Sequence, residues 1–248
     1  NLQRIEDKLA DGFDLIRVYV GANAEADEKF LAAFTDRFEG RVQIKSLDFS
    51  NLVKWRESSK LIERYADLCD FMLIESPVPR NDFDGLVNFR NFSRWPVSEH
   101  VLHIHHGWAL LSQGCVDILN VSPYLLGGLQ ASLRLIALAE AAHASVLIGT
   151  TQELNLGTAA VAHLAAAARV LDFPSDSTGP HLYTKDVVKA PVQYINSHLI
   201  VPEGPGLGIE VDEDLLREMS SEAHWTFGLD LAGVLDRTAA NRPSAEKK

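Results

Sequence analysis

The 248-residue sequence is poor in cysteine and in positive charge. Cys69 and Cys115 are its only thiols, both in apolar surroundings, which excludes a disulfide framework and predicts a reducing, cytoplasmic setting. Against 34 Asp and Glu stand 23 Lys and Arg, for a formal net charge of -11, and no basic patch interrupts the acidic surplus. Neither nucleic acid nor an anionic membrane is expected as a partner, because both are held by clustered positive charge. No apolar run approaches the roughly 20 residues that cross a bilayer, and the opening NLQRIEDKLADGF lacks the apolar centre of a secretory signal. That opening reads as the middle of a helix with no initiating Met, and predicts a fragment of a longer chain. Gly-x-Ser-x-Gly and His-Glu-x-x-His are missing, so neither a serine nucleophile elbow nor a zinc-protease helix is expected.

What is present is alternation. At 46% hydrophobic the chain can bury a large core, and its length suits one α/β barrel or two small domains. Short apolar runs at 14–20, 41–48, 70–75, 95–99, 116–122, 144–149 and 170–173 predict strands. Between them, segments such as AEADEKFLAAFTDRF, WRESSKLIERYADL and NLGTAAVAHLAAAARV carry a helical apolar stripe. Strand then helix, seven times over, predicts a parallel sheet. With Tyr19, Asp48, Glu75, Glu99, Ser122, Gly149 and Asp176 taken as successive strand ends, the steps are 23 to 29 residues, one βα unit each. In a barrel all such ends converge on one mouth.

FMLIESP, residues 71–77, runs straight into Glu75 and is then broken by Pro77. At a barrel mouth that carboxylate is useful without being buried unpaired. Asp48, Glu75 and Glu99, from three consecutive strand ends, form an all-oxygen set suited to Mg²⁺ or Mn²⁺; the plainer alternative is that each merely caps a strand or begins a helix.

LIESPVPRNDFDGL, SEHV, VDILNV followed by GG, GTTQELNLGTAAVAHLAAAA, SDSTGP and LIVPEGPGLGIEVD occur in order, and over about residues 12 to 215 the sequence resembles the barrel of the enolase superfamily, nearer its muconate-lactonizing branch than mandelate racemase. The resemblance implies a modified (β/α)7β TIM barrel, here lacking its first strand and the N-terminal capping domain. It implies a Mg²⁺-dependent isomerase or lyase that removes the proton α to the carboxylate of a small acid, a sugar acid or amino-acid derivative, through an enediolate. Asp48, Glu75 and Glu99 would be the metal ligands, and a homo-oligomer is expected.

The catalytic positions depart from that pattern. Where the muconate-lactonizing branch has a Lys-x-Lys on the second strand, this chain has Arg17 and Tyr19; where it has a lysine on the sixth, this chain has Ser122; and the strand-seven histidine of the other branch is Gly149. Arg17 cannot accept a proton but shares a strand face with Tyr19, whose phenolate it would stabilise, so Tyr19 is a candidate acid/base. The alternative is that both only line the mouth. Asp176 aligns with the eighth-strand acid and either orients substrate or is a turn residue; Thr150, Thr151 and Glu153 either bind a substrate carboxylate or cap a helix. With the usual bases replaced, a catalytically altered paralogue serving as a binding or assembly subunit is the second reading.

Four of the nine histidines fall in EHVLHIHH without a zinc-binding spacing, and read as a strand-to-helix loop. Gly127 and Gly128 read as a tight turn before a helix. The expected boundaries are a partial barrel over 1–190, a hairpin and helix over 191–222 packing on the barrel or capping domain, and a polar tail over 223–248.

Overall fold

The structure, a computed structural model, describes residues 1–222. Six strands, β1 (Leu15–Tyr19), β2 (Gln43–Asp48), β3 (Phe71–Glu75), β4 (Val97–His100), β5 (Ile118–Val121) and β6 (Ser145–Ile148), pair in chain order and all in parallel. Helix α1 (Leu2–Ala10) precedes β1, and α2 (Ala24–Phe38), α3 (Trp55–Ala66), α4 (Phe83–Phe92), α5 (Ile104–Ser112), α6 (Pro123–Leu126) with α7 (Leu129–Ala141), and α8 (Asn155–Ala167) follow the strands in turn.

Helix α2 illustrates why these segments fold as they do. Asn23 caps it by accepting from the Ala26 N–H, Glu25 and Asp27 sit in its first turn and Arg37 in its last, in accord with the helix dipole. Leu31, Phe34 and Phe38 recur at helical spacing and are buried. They join Leu47, Ile74, Val97, Leu119 and Val146 in the main core between sheet and helices. Alternation sends Leu73, Ile118 and Leu147 to the other face, where they form a second apolar cluster with Phe173. Burying each such side chain contributes about 1.5–3 kcal/mol.

The sheet curls into an open barrel. Asp176, beyond β6, meets Lys45 of β2 and Arg17 of β1, so the two ends of the strand order face each other across the interior.

The strand expected over 170–173 does not form. Pro174 has no N–H to give a ladder, and only residual pairing survives: the Asp176 N–H donates to the Ile148 carbonyl at 3.0 Å, and the Ile148 N–H donates to the Ser175 side chain instead of a backbone oxygen. The hairpin forms as β7 (Tyr194–Ile195) and β8 (His198–Leu199), with Asn196 and Ser197 both left-handed, as a two-residue turn requires. Its turn is tied to the start of β1, the Ser197 hydroxyl donating to the Gly12 carbonyl at 3.0 Å and accepting from the Asp14 N–H at 3.0 Å.

Residues Asn1–Glu210 form one compact unit that includes this hairpin; a second begins at Val211 and contains α9 (Glu213–Glu222). The expected tail over 223–248 lies outside the described residues. Among the described residues, no helix is long and apolar enough to cross a membrane.

Candidate active site

A cavity of about 330 Å³ opens at the carboxyl ends of the strands, lined by Arg17, Tyr19, Asp48, Arg80, His100, Thr150 and Thr151 together with Ser50, Asn51, Ser76 and Gln152. The last four are all left-handed without being glycine (φ 53°, 59°, 50° and 68°). Such backbone costs on the order of 1–3 kcal/mol per residue and persists where the surroundings enforce it, as they do around working pockets.

Asp48 and Glu75 end β2 and β3 as the spacing predicts, opposite each other in register. Both carboxylates are buried, at 3% and 0% exposure. Burial and then the Glu75 charge push the Asp48 carboxyl up, against the Ser50 N–H that donates to it at 2.7 Å. Burial would also raise Glu75, but the hydrogen bond from His100, then Lys45 and Arg17, outweigh it and hold that carboxyl well below the usual range. Two adjacent acids are thereby driven in opposite directions.

Glu99 does not join them, contrary to the expected three-carboxylate set. Strand β4 runs one residue further than foreseen, to His100, and neighbours on a strand face opposite ways. His100 therefore enters the interior, where its Nε2 donates to Glu75 Oε1 at 2.9 Å, while Glu99 turns outward and accepts from Asn51 Nδ2 at 2.8 Å, Ser76 Oγ at 3.0 Å and the His100 N–H at 2.8 Å. Glu99 holds in place two of the left-handed residues that line the cavity.

Arg17 Nη1 sits among the remaining acids, 3.3 Å from Glu75 Oε1, 3.6 Å from Asp176 Oδ2 and 3.9 Å from Asp48 Oδ2. Its Nη2 donates to the Tyr19 hydroxyl at 2.6 Å, so the shared strand face expected for this pair is present. The expected phenolate is not: desolvation raises the Tyr19 hydroxyl, and Asp48, Glu75 and Asp176 offset the help from Arg17. The Tyr19 hydroxyl is an acceptor here, from Arg17. Asp176 is ion-paired, not a simple turn residue, its Oδ2 accepting from Lys45 Nζ at 2.5 Å.

Thr150 and Thr151 line the cavity, but their hydroxyls donate to the Glu153 side chain, at 2.5 Å and 2.7 Å, within the loop before α8, whose N-cap residue, Leu154, makes no side-chain cap. Ser122 is buried as the residue before α6, with no hydrogen-bond partner for its hydroxyl, and does not line the cavity. Gly127 closes α6 in a left-handed turn, as expected. His103 caps α5 by accepting from the His106 N–H at 3.1 Å, the loop reading of the histidine cluster. Where the racemase branch would carry its histidine, a Cβ on Gly149 would stand 2.0 Å from Asn120 Oδ1.

Sequence reasoning missed Lys45 and the inward turn of His100. The β1–β2 register shifts between Ile16 and Arg17, leaving Lys45 unpaired opposite β1; this bulge frees it from strict alternation, so that it and Ser46 both reach interior carboxylates. A lone cation between the strand apolars Ile44 and Leu47 was the available signal.

The residues present do not fit the implied dication. Among the described residues no three His, Cys, Asp or Glu side chains are grouped to hold a metal. An ion bound to Glu75 Oε1 at about 2.1 Å would lie within about 5 Å of the Arg17 guanidinium, a repulsion on the order of 6 kcal/mol at an effective dielectric of about 20.

A helix-wrapped parallel sheet whose strand ends gather acids and cations around one cavity defines an α/β barrel with an acid-base pocket. The chain belongs to the family described as Enolase C-terminal domain-like, whose model matches residues 2–215. It is 30% identical over 205 residues to muconate cycloisomerase 1-2 of Acinetobacter lwoffii, covering 81% of this chain and 52% of that protein. It is 27% identical over 209 residues to L-Ala-D/L-Glu epimerase of Bacillus subtilis, covering 82% and 56%. Among solved structures, the muconate lactonizing enzyme from Pseudomonas putida superposes with a TM-score of 0.81 at 25% identity, over 88% of this chain and 61% of that one. The chain thus spans about half the length of these curated relatives.

Proposed function

We propose that this chain is the barrel portion of an isomerase or lyase that moves the proton α to the carboxylate of a small acid. The observation that carries the reading is the cavity itself: it presents Asp48, His100 and Tyr19, three groups able to hold or move a proton, beside the fixed cation Arg17. The relatives named for muconate and for L-Ala-D/L-Glu act on carboxylates, which favours the same substrate class here.

In this reading the substrate lies across the cavity with its carboxylate toward Arg17 and the Tyr19 hydroxyl. An α-proton is weakly acidic because a second negative charge develops as it leaves; a guanidinium fixed in advance stabilises that charge without reorganising. Asp48, raised by burial and by Glu75, is the proton acceptor, a carboxylate made more basic than one in water. His100, at the end of β4 and oriented by Glu75, returns a proton or assists a leaving group. These steps are written without the magnesium or manganese ion that the family resemblance implies, because Arg17 lies against the carboxylates of Glu75, Asp176 and Asp48.

Incubation of the full chain with muconate, dipeptides and sugar acids in D₂O tests this. Deuterium entering the α position, lost in Asp48→Asn, is the expected result. No exchange with any acid would overturn it in favour of a non-catalytic binding or assembly subunit, the reading that the replaced lysine positions Arg17, Tyr19 and Ser122 support.

A further inference from the structure

We propose that the Arg17 guanidinium is a built-in cation that fills the space between the strand-end carboxylates, so that the pocket is complete with no divalent ion bound. One nitrogen of this group faces three carboxylates delivered by β2, β3 and the segment after β6. Its other end is fixed by the bond to Tyr19 and by the tyrosine ring, whose centroid is 4.9 Å from the guanidinium carbon. The planar fork of arginine suits such multiple contacts, whereas a lysine would offer a single point charge.

The acids have little left to offer a metal. Glu75 Oε1 accepts from Arg17, His100 and Asn120, and its Oε2 from Ser46. Asp48 Oδ1 accepts from the Ser50 N–H. Asp176 is taken by Lys45. The third acid of the expected ligand set, Glu99, is on the far face of β4 among three donors. The cations Arg17 and Lys45 and the His100 imidazole, from three strands, thus face the interior carboxylates, and a dication would have to displace Arg17 before it could be bound. This inference concerns how the pocket is built and stands whether or not the chain performs the proposed reaction.

Mn²⁺ is the probe, titrated into the full chain and followed by electron paramagnetic resonance, with thermal denaturation in EDTA and in excess Mg²⁺ alongside. The wild type is expected to take up no Mn²⁺ that depends on Asp48 and to melt at the same temperature in both buffers. Arg17→Ser removes the guanidinium and is expected to gain one saturable Mn²⁺ site that Asp48→Asn abolishes, with a melting temperature that now rises with metal. A wild-type site lost in Asp48→Asn would overturn the proposal, as would a folded Arg17→Ser chain that gains none. Should Arg17→Ser fold only with Mn²⁺ present, the exchange of one cation for the other is shown directly; should it fold under neither condition, the wild-type titration and the milder Arg17→Gln decide.

Discussion

Lys45 and Asp176, 131 residues apart in sequence, meet at 2.5 Å across the barrel interior. The lysine is 1% exposed, so its charge depends on this partner. Asp176→Asn is expected to destabilise the fold by about 3 kcal/mol, because an uncompensated buried charge costs more than the pair contributes. Lys45→Met combined with Asp176→Asn should lose clearly less than the sum of the two single changes, a coupling that urea denaturation of the double-mutant cycle measures.

Glu99 accepts three hydrogen bonds and donates none. Glu99→Gln places an amide N–H against Asn51 or Ser76, both of which already donate. A loss of about 1–3 kcal/mol is expected from the unsatisfied buried donor. An unchanged urea midpoint would show that these loops do not need the carboxylate.

Gly149 touches the side chain of Asn120, and any Cβ there would overlap it. Gly149→Ala is expected to cost about 1–3 kcal/mol by overpacking and to displace the Asn120 amide from Glu75. Asn120→Ser in the same background should recover part of the loss; absence of any recovery would locate the strain elsewhere.

Glu153 is held below the usual carboxylate range: burial works to raise it, but the hydrogen bonds from Thr150 and Thr151 outweigh burial. A depressed folded-state value means stability that is present above the unfolded value, about 4.5, and lost as pH falls through the folded one. Glu153→Gln should therefore flatten the acid limb of a stability-against-pH curve below about pH 4.5 and lower the plateau at neutral pH. An acid limb identical to wild type would remove Glu153 from the account.

The apolar stripes made the helices and first six strands legible, and α2 occupies the very residues, Ala24–Phe38, that its pattern marks. Tyr19, Asp48 and Glu75 end their strands as the unit spacing predicts. What the pattern did not carry was side-chain direction at irregular places. Period-two reasoning places Lys45 on the face opposite Asp48, and only the bulge in β1–β2 pairing reverses it. Counting strand ends from spacing alone stopped β4 at Glu99, although the true inward residue is its neighbour. Pro174 marked the failure of the last strand, but VLDF before it reads as strand by composition.

Strand β4 carries its acid and its imidazole side by side, so their assignment to inside and outside hangs on the phase of a four-residue segment. Removing a single residue ahead of Val97 would exchange them, handing the interior a third carboxylate and the outer loops a ring that cannot accept three bonds. The ionic character of the whole mouth is in this sense set by an insertion or deletion too small to disturb any neighbouring helix.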